Sequence, residues 1–98
     1  MVIITKTILN EFGLQHTGAA AALNEWYAIV KAADWKSLAN VKQTFNSVDY
    51  VGNDHYVFNI KGNHYRLIAM IFFDKRTLFI RIVGNHAQYD KIPDCSTI

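Results

Sequence analysis

The chain has 98 residues, a length that fits one domain with a modest hydrophobic core. Its composition is 51% hydrophobic, which argues against disorder, and no apolar run reaches the roughly 18 residues of a membrane span. The N-terminus lacks the basic start and apolar core of a signal peptide, and Cys95 is the single cysteine. We therefore expect one domain over 1–98, in the reducing cytoplasm, with a loose tail over 92–98.

The charge is distributed unevenly, although the net charge is only +2. Residues 1–54 carry four lysines and five carboxylates, a net −1, whereas residues 55–98 carry six basic and three acidic side chains, a net +3. All three arginines lie in the second part. This excess indicates an anionic ligand on the C-terminal half.

The first half of the chain reads as a short strand, three helices and another short strand. Thr5 can cap the first helix, which Gly13 ends, and Asp34 or Ser37 can cap the third. The second helix is the strongest, because its apolar residues recur with helical spacing. The predicted elements are a strand at Val2–Ile4, helices over 6–12, 19–33 and up to Phe45, and a strand over 48–51.

The second half reads as three consecutive strands over 56–60, 64–73 and 78–83, joined by short polar turns. A two-residue Lys75-Arg76 loop would place Asp74 opposite Thr77, and side-chain alternation then assigns each residue to a face. The apolar face collects Tyr56, Phe58, Ile60, Tyr65, Leu67, Ala69, Ile71, Phe73, Leu78, Ile80 and Ile82. The opposite face, called the second face below, collects His55, Val57, Asn59, His64, Arg66, Ile68, Met70, Phe72, Phe79, Arg81, Val83 and Asn85. We predict an α+β fold with the helices on the apolar face of a mostly antiparallel sheet.

Polar residues gather at one end of the second face, and a C-terminal segment that folds back would add more. The strand and turn residues there are Asn59, Lys61, His64, Arg66, Arg81 and Asn85, followed along the chain by His86, Tyr89, Asp90 and Lys91. Metal-free cleavage of RNA needs a base for the ribose 2′-hydroxyl, cations for the phosphorane and an acid for the leaving 5′-oxygen. Histidine transfers protons near neutral pH, and a tyrosine could do so if cations lowered its pKa.

Each of these residues also has a structural interpretation. Arg66 and Arg81 could be solvated strand residues, His86 a turn residue, Tyr89 a packed ring and Asp90 a cap on backbone amides. The four histidines and the cysteine show no pair at metal-ligand spacing, so neither a metal nor another cofactor is expected.

Two stretches, Phe58 to Phe73 and Phe79 to Ile92, resemble the HigB-type toxins of bacterial type II toxin–antitoxin modules, within the RelE-like superfamily. The resemblance extends to Trp35 and to 38–45. The motifs that carry it are Asn59-Ile60-x-Gly62-Asn63-x-x-Arg66, Ile80-Arg81 and His86-x-x-Tyr89-Asp90. The family implies a small α+β fold, a metal-independent mRNA endonuclease that commonly acts on ribosome-bound message, and neutralisation by a helix-turn-helix antitoxin.

By position, Lys61, Arg66 and Arg81 match the basic sheet residues of this family, which bind phosphate. His86, Tyr89 and Asp90 match its C-terminal motif, the source of acid and base groups. That motif usually reads Thr-His-Ala-Glu-Tyr-Asp, whereas this chain has Asn85 in place of the threonine and Gln88 in place of the glutamate.

The favoured hypothesis is an endoribonuclease toxin of the cytoplasm that cleaves mRNA on the ribosome. Arg66 and Arg81 would hold the scissile phosphate, His86 or Tyr89 would transfer protons, and Asp90 would orient the tail. Further contacts to RNA phosphates are assigned to Lys61, Asn59, Asn63, His64 and Lys91. A helix-turn-helix antitoxin of the HigA type would cover the second face. The alternative is a non-catalytic RNA- or protein-binding module of the same fold.

Overall fold

The computed structural model describes residues 1–62 and 64–98, and its elements follow the predicted order. The strands are β1 Val2–Ile4, β2 Asp49–Gly52, β3 His55–Ile60, β4 Tyr65–Phe72 and β5 Thr77–Asn85. The helices are α1 Thr7–Gln15, α2 Thr17–Ala32, α3 Leu38–Thr44 and α4 His86–Asp90, with 3₁₀ turns at Phe73–Lys75 and Cys95–Thr97. Within the described ranges, no helix combines the length and apolar character needed to cross a bilayer.

The five strands form one sheet in the order β1-β5-β4-β3-β2. The strands β2 to β5 pair antiparallel, whereas β1 pairs in parallel with β5. The combination of helices with a mostly antiparallel sheet confirms the predicted α+β class.

The core lies between the N-terminal helices and one face of the sheet. Phe58 on β3 is 1% exposed, and its ring lies 5.4 Å from those of Trp26 and Phe45, centroid to centroid. Trp35 stacks on the same ring at 6.5 Å. Aromatic contacts of this kind add to the stabilisation that burial of the rings provides. The aromatic residues of the apolar face are therefore core residues.

The helix α1 is longer than predicted and begins without the predicted cap. It continues through Gly13 to Gln15, while Thr5 lies outside it at φ 74° and no side chain caps its start. A Cβ placed on Gly13 would lie 3.4 Å from the Cβ of Ala20, an ordinary van der Waals contact, so the packing of α1 on α2 does not require a glycine here. Gly13 thus lies within the helix and does not end it.

The turn between β4 and β5 differs from the predicted two-residue loop. Thr77 pairs with Phe72 rather than with Asp74, because Phe73–Lys75 forms a 3₁₀ turn and Arg76 adopts a left-handed conformation at φ 50°. This shift of two residues leaves the alternation unchanged, so the predicted faces hold next to the turn.

Farther along, a β-bulge in β5 reverses the alternation. Ile80 pairs with Ala69 and Ile82 pairs with Ile68, which leaves Arg81 as the extra residue. An extra residue on one strand changes the faces of all residues beyond it.

Three face assignments are therefore wrong. Val83, assigned to the second face, is 7% exposed and belongs to the core. Ile82, assigned to the apolar face, lines a pocket with Arg66 on the second face. Asn85 lies opposite Tyr65 rather than on the face of Arg66. One bulge accounts for all three differences.

The C-terminal segment lies against the second face of the sheet. Cys95–Thr97 forms a 3₁₀ turn, and Asn53 Nδ2 donates a hydrogen bond of 3.2 Å to the backbone oxygen of Ser96. His55 and Ile68, both assigned to this face, are buried at 4% and 0% exposure. The structure thus orders part of the tail for which the sequence predicts loose chain.

Candidate active site

The helix α4 begins where β5 ends, and a reciprocal pair of hydrogen bonds fixes that change of direction. The backbone N–H of Gln88 donates to Asn85 Oδ1 and the backbone N–H of Asn85 donates to Gln88 Oε1, both at 2.9 Å. This is a capping box, a motif usually built from serine or threonine with glutamate or glutamine three residues later. Asn85 and Gln88 are the positions at which this chain departs from the motif that it resembles. In this chain the two residues form the cap with two neutral amides.

Gly84 allows α4 to lie directly against β5. A Cβ at this position would lie 3.0 Å from the Cβ of Gln88 and 3.2 Å from its Oε1. Contacts this short force neighbouring atoms to move, so an alanine here would displace the capping box. The lack of a side chain at Gly84 therefore helps to position α4 against β5.

The helix brings Tyr89 over Arg66. The guanidinium carbon of Arg66 lies 5.6 Å from the centroid of the Tyr89 ring, a cation–π distance. Arg66 pairs across the sheet with Asn59 on β3 and with Gly84 on β5. A pocket of about 10 Å³, close to the space that one water needs, lies at this point. It is lined by Arg66, Ile68, Ile82, Gly84, Gln88, Tyr89 and Ile92.

Arg66 is a permanent cation with an unpaired donor. Its Nη1 is buried, and it has no hydrogen-bond partner within residues 1–62 and 64–98. Within the same ranges, the ion pairs join only other residues, Asp34 with Lys36 and with Arg76. Buried polar atoms are nearly always hydrogen-bonded, so an unpaired one calls for an explanation, such as a bound water, a bound ion or a functional role. The guanidinium is thus suited to bind an anion.

Tyr89 keeps its proton more firmly than an ordinary tyrosine. A hydrogen bond with the Cys95 side chain is the main cause that raises the pKa of Tyr89, and burial raises it further, whereas Arg66 acts in the opposite direction. Arg66 thus acts to lower this pKa, as expected of a nearby cation, but the Cys95 hydrogen bond and burial outweigh it, so the condition under which Tyr89 could serve as a base is not met. At neutral pH Tyr89 can donate a proton or a hydrogen bond, but it cannot begin as a base.

His86 and Asp90 occupy the first and last positions of α4 and are exposed, as is Lys91, which follows. In the described parts of the chain, neither Asp90 nor Lys91 forms an ion pair. The helix therefore presents His86 and Asp90 to solvent at its two ends, with Tyr89 turned inward between them. The orienting role expected of Asp90 remains a prediction.

Arg81 does not join Arg66. The bulge places it on the exposed surface, and its Nε donates a hydrogen bond of 3.2 Å to the backbone oxygen of Ile98. It lines a separate surface pocket beside α1, which it shares with Gln88. The two arginines therefore line different pockets.

The turn residues are divided between two surfaces. Lys61 reaches toward the helices, because a Cβ built on Gly18 of α2 would lie 3.3 Å from its Nζ. Asn59 is half-buried and lines a pocket with Lys61, while His64 is exposed in the turn. Asn63 lies outside the described residues. The structure thus brings Arg66 together with Tyr89, and it places Asn59, the cross-strand partner of Arg66, in a different pocket that Lys61 also lines.

Four residues that shape this region were not among the predicted site residues. Gln88 had a local signal, because an Asn-x-x-Gln pair just before a helix indicates a capping box. Gly84, His55 and Cys95 had none: no local pattern marks a glycine that packs under the next helix or a thiol beside a tyrosine, and His55 contacts Ile98 only through the fold. In the described ranges, no group of three histidine, cysteine or acidic side chains could hold a metal ion.

Replacing Gly84 by alanine tests whether close packing places α4. We expect about 1–3 kcal/mol of destabilisation in urea unfolding, because the added methyl group would overlap Gln88. Gly13→Ala is the matched control, since its Cβ would meet Ala20 at an ordinary 3.4 Å. Equal effects of the two substitutions would contradict this account.

A pH titration tests the contact between Tyr89 and Cys95. We expect Cys95→Ala to lower the pKa of Tyr89 toward its ordinary value of 10.0, measured by ultraviolet absorbance of tyrosinate, with Tyr89→Phe identifying the transition. The folded-state pKa exceeds the unfolded value, so the associated stability is complete below pH 10.0 and is lost as pH rises through the folded-state pKa. An unchanged midpoint in Cys95→Ala would show that the thiol does not hold the proton.

Comparison with known proteins places this chain in a family. The model of the HigB_toxin family, described as the RelE-like toxic component of a toxin-antitoxin system, matches residues 19–92. A protein named mRNA interferase HigB, from Escherichia coli O6:H1, is 32% identical over 94 residues, which cover 94% of this chain and 91% of that protein. Proteins named mRNA interferase toxin HigB in Escherichia coli K12 and mRNA interferase HigB in Shigella flexneri are each 41% identical over 59 residues, covering 57% of this chain and 56% of each relative. The chain therefore belongs to the HigB toxin family, the RelE-like toxic components of toxin–antitoxin systems.

Proposed function

We propose that this chain is the toxin of a toxin–antitoxin system and an mRNA interferase, an endoribonuclease that cleaves ribosome-bound message in the cytoplasm without a metal. The observation that supports it best is the buried, unpaired Nη1 of Arg66 beneath the Tyr89 ring. Relatives that carry the name mRNA interferase give independent support for the reaction.

The proposed reaction is a transfer within the RNA itself. A base removes the proton from a ribose 2′-hydroxyl, the 2′-oxygen forms a bond to the adjacent phosphorus, and the bond from phosphorus to the 5′-oxygen breaks. The leaving oxygen takes up a proton from an acid, which leaves a cyclic phosphate and a free 5′-hydroxyl. The step requires a 2′-hydroxyl, so DNA is not a substrate.

Arg66 is proposed to stabilise the charge that develops on the phosphorane. A preorganised donor in a site that excludes water acts more strongly than one in bulk solvent, because it does not reorganise during the reaction. The Tyr89 ring holds the guanidinium from one side and leaves Nη1 for a phosphate oxygen. Arg66 therefore serves as the anion-stabilising group.

Tyr89 and His86 are proposed to divide the proton transfers. Tyr89 starts protonated, since its pKa is raised by Cys95 and by burial, and so suits the acid that protonates the leaving oxygen. His86, exposed at the start of α4, is assigned the base. Asp90 is proposed to orient the end of the helix.

The remaining assigned residues are proposed to bind phosphates farther along the RNA. Among those that the structure describes, the spread over the surface suits an extended single strand better than one compact contact. The residues assigned this role are Arg81, Lys61, Asn59, Asn63, His64 and Lys91.

The proposed antitoxin is a helix-turn-helix protein of the HigA type. Membership of this toxin family implies an antitoxin partner. An antitoxin that covers α4 and the end of the sheet near Arg66 would prevent RNA from reaching Tyr89. The second face is therefore the proposed contact surface.

Cleavage of a defined RNA by the purified chain tests the proposal. We expect cleavage in the presence of EDTA, and a loss of about 10²- to 10³-fold in rate for Arg66→Ala, the range for removing one oxyanion donor. Arg76→Ala is the matched control, because Arg76 is an exposed arginine that pairs with Asp34 at the opposite end of β5.

Two outcomes would contradict the proposal. Loss of cleavage on adding EDTA, with recovery on adding a divalent cation, would overturn metal independence alone. Folded wild-type chain that binds RNA or antitoxin but cleaves no RNA, either free or on ribosomes, would favour the non-catalytic binding module.

A further inference from the structure

Two side chains from different strands contact the backbone oxygen of Ile98. His55 on β3 places Nε2 at 2.8 Å from this oxygen, and Arg81 on β5 donates its Nε–H to it at 3.2 Å. The C-terminal strap, defined here as residues 94–98, therefore connects two strands that do not pair with each other.

His55 lies on β3 and is buried, unlike an ordinary surface histidine. It is 4% exposed, and within the described ranges it is the one polar side chain that is buried. Its Nδ1 lies 2.7 Å from the backbone oxygen of Asn53, so each ring nitrogen faces a backbone oxygen. Such oxygens only accept, so a ring nitrogen that carries a proton can donate to the oxygen that it faces. The two oxygens thus contact the His55 ring at both of its nitrogens.

The strap has further attachments that fix where Ile98 lies. Asn53 Nδ2 donates to the backbone oxygen of Ser96 at 3.2 Å. Within the strap, the backbone N–H and hydroxyl of Ser96 donate to Asp94 Oδ1 at 2.9 and 2.7 Å. The bonds to Asp94 form a turn. The contact of Asn53 with Ser96 and that of His55 with Ile98 attach this turn to the rest of the chain. The Ile98 oxygen is thus held by the fold, independently of Arg81.

The hydrogen bond to this oxygen orients the Arg81 side chain. Arg81 is the exposed extra residue of the bulge, and a long exposed side chain ordinarily samples many rotamers. The bond to Ile98 uses Nε alone, while the terminal Nη groups of a guanidinium form a fork that fits two phosphate oxygens. A guanidinium that is already oriented before RNA binds loses less conformational entropy on binding.

We propose that His55 is a positioning residue for RNA cleavage, which acts through the Ile98 backbone oxygen to aim Arg81 at a phosphate of the substrate. This inference rests on the proposed function, in which Arg81 binds RNA. His55 itself does not touch the RNA. Its contribution is to anchor the oxygen that orients the guanidinium.

The first test measures the contact itself by NMR. We expect the Arg81 Nε–H signal of the wild type to exchange slowly with water, and to exchange rapidly in His55→Leu, which cannot bind Ile98. His55→Gln should restore slow exchange, because its amide can donate one hydrogen bond in place of Nε2. Fast exchange in the wild type would overturn the inference at this first step.

The second test measures RNA cleavage by the same proteins. We expect His55→Leu to raise KM for RNA and to lower kcat/KM by about tenfold or more, within the hundredfold that misplacing a group by 1 Å can cost. His55→Gln should recover most of that loss. His16→Leu is the matched histidine control, since His16 lies between α1 and α2 and contacts Phe12 and Tyr65.

A further variant keeps the test decisive if His55→Leu does not fold. Asn53→Gly retains the left-handed backbone at φ 50° and removes only the amide that holds Ser96. It should also speed exchange at Arg81 and raise KM, without touching the buried ring. If His55→Leu does not fold, and Asn53→Gly changes neither the exchange rate of the Arg81 Nε–H nor KM for RNA, the inference is overturned.

The outcomes separate this inference from the function on which it rests. A wild-type chain that cleaves no RNA would overturn the proposed function and the inference together. A wild-type chain that cleaves RNA, with equal kcat/KM in His55→Leu and His55→Gln, would overturn the inference alone. A tenfold loss in His55→Leu with recovery in His55→Gln would support both.

Discussion

The two hydrogen bonds between Asn85 and Gln88 fix the geometry on which the candidate site depends. They reverse the chain at the end of β5, and the absence of a side chain at Gly84 lets the resulting helix lie on the sheet. Only then does Tyr89 lie over Arg66, with Cys95 beside its hydroxyl group. Without the cap, a helix of five residues would be too short to persist by itself.

The same two residues change the electrostatics of the site. In the related motif a glutamate occupies the position of Gln88, so a carboxylate would lie near the arginine. Here the cap is neutral, and Arg66 is accompanied by an aromatic ring rather than by an anion. A guanidinium without a carboxylate partner attracts phosphate more strongly than one that is already paired. The neutral amide pair therefore fixes the geometry of the site without placing a counter-charge beside Arg66.

Much of the fold could be predicted from the sequence, because alternation and helical spacing are local signals. The strands β3 to β5, the helix with Trp26 and the apolar face next to Phe58 follow from such patterns. The bulge at Arg81 could not be predicted, since no residue in Leu78–Val83 marks an extra position, and it reversed the faces of Ile82 and Val83. Local patterns predict that successive side chains lie on opposite faces of the sheet. Pairing with β4 decides where a bulge interrupts that alternation.

The candidate site was predictable to a smaller extent than the fold. Arg66 and Tyr89 followed both from the polar end of the second face with its C-terminal extension and from the resemblance, and the structure brings them together. The upward shift of the Tyr89 pKa could not be predicted, because it depends mainly on Cys95, in a segment expected to be loose. His55 was missed for the same reason, since its partners Asn53 and Ile98 include one from the far end of the chain.

The most direct test of the central claim is a map of the 5′ ends of mRNA in bacteria that express the chain. If Arg66 and α4 form an RNA-cleaving site, new ends will appear within translated frames shortly after induction. The same ends will be absent from cells that express Arg66→Ala at an equal level. Growth arrest without new ends, or equal ends from both proteins, would contradict the account.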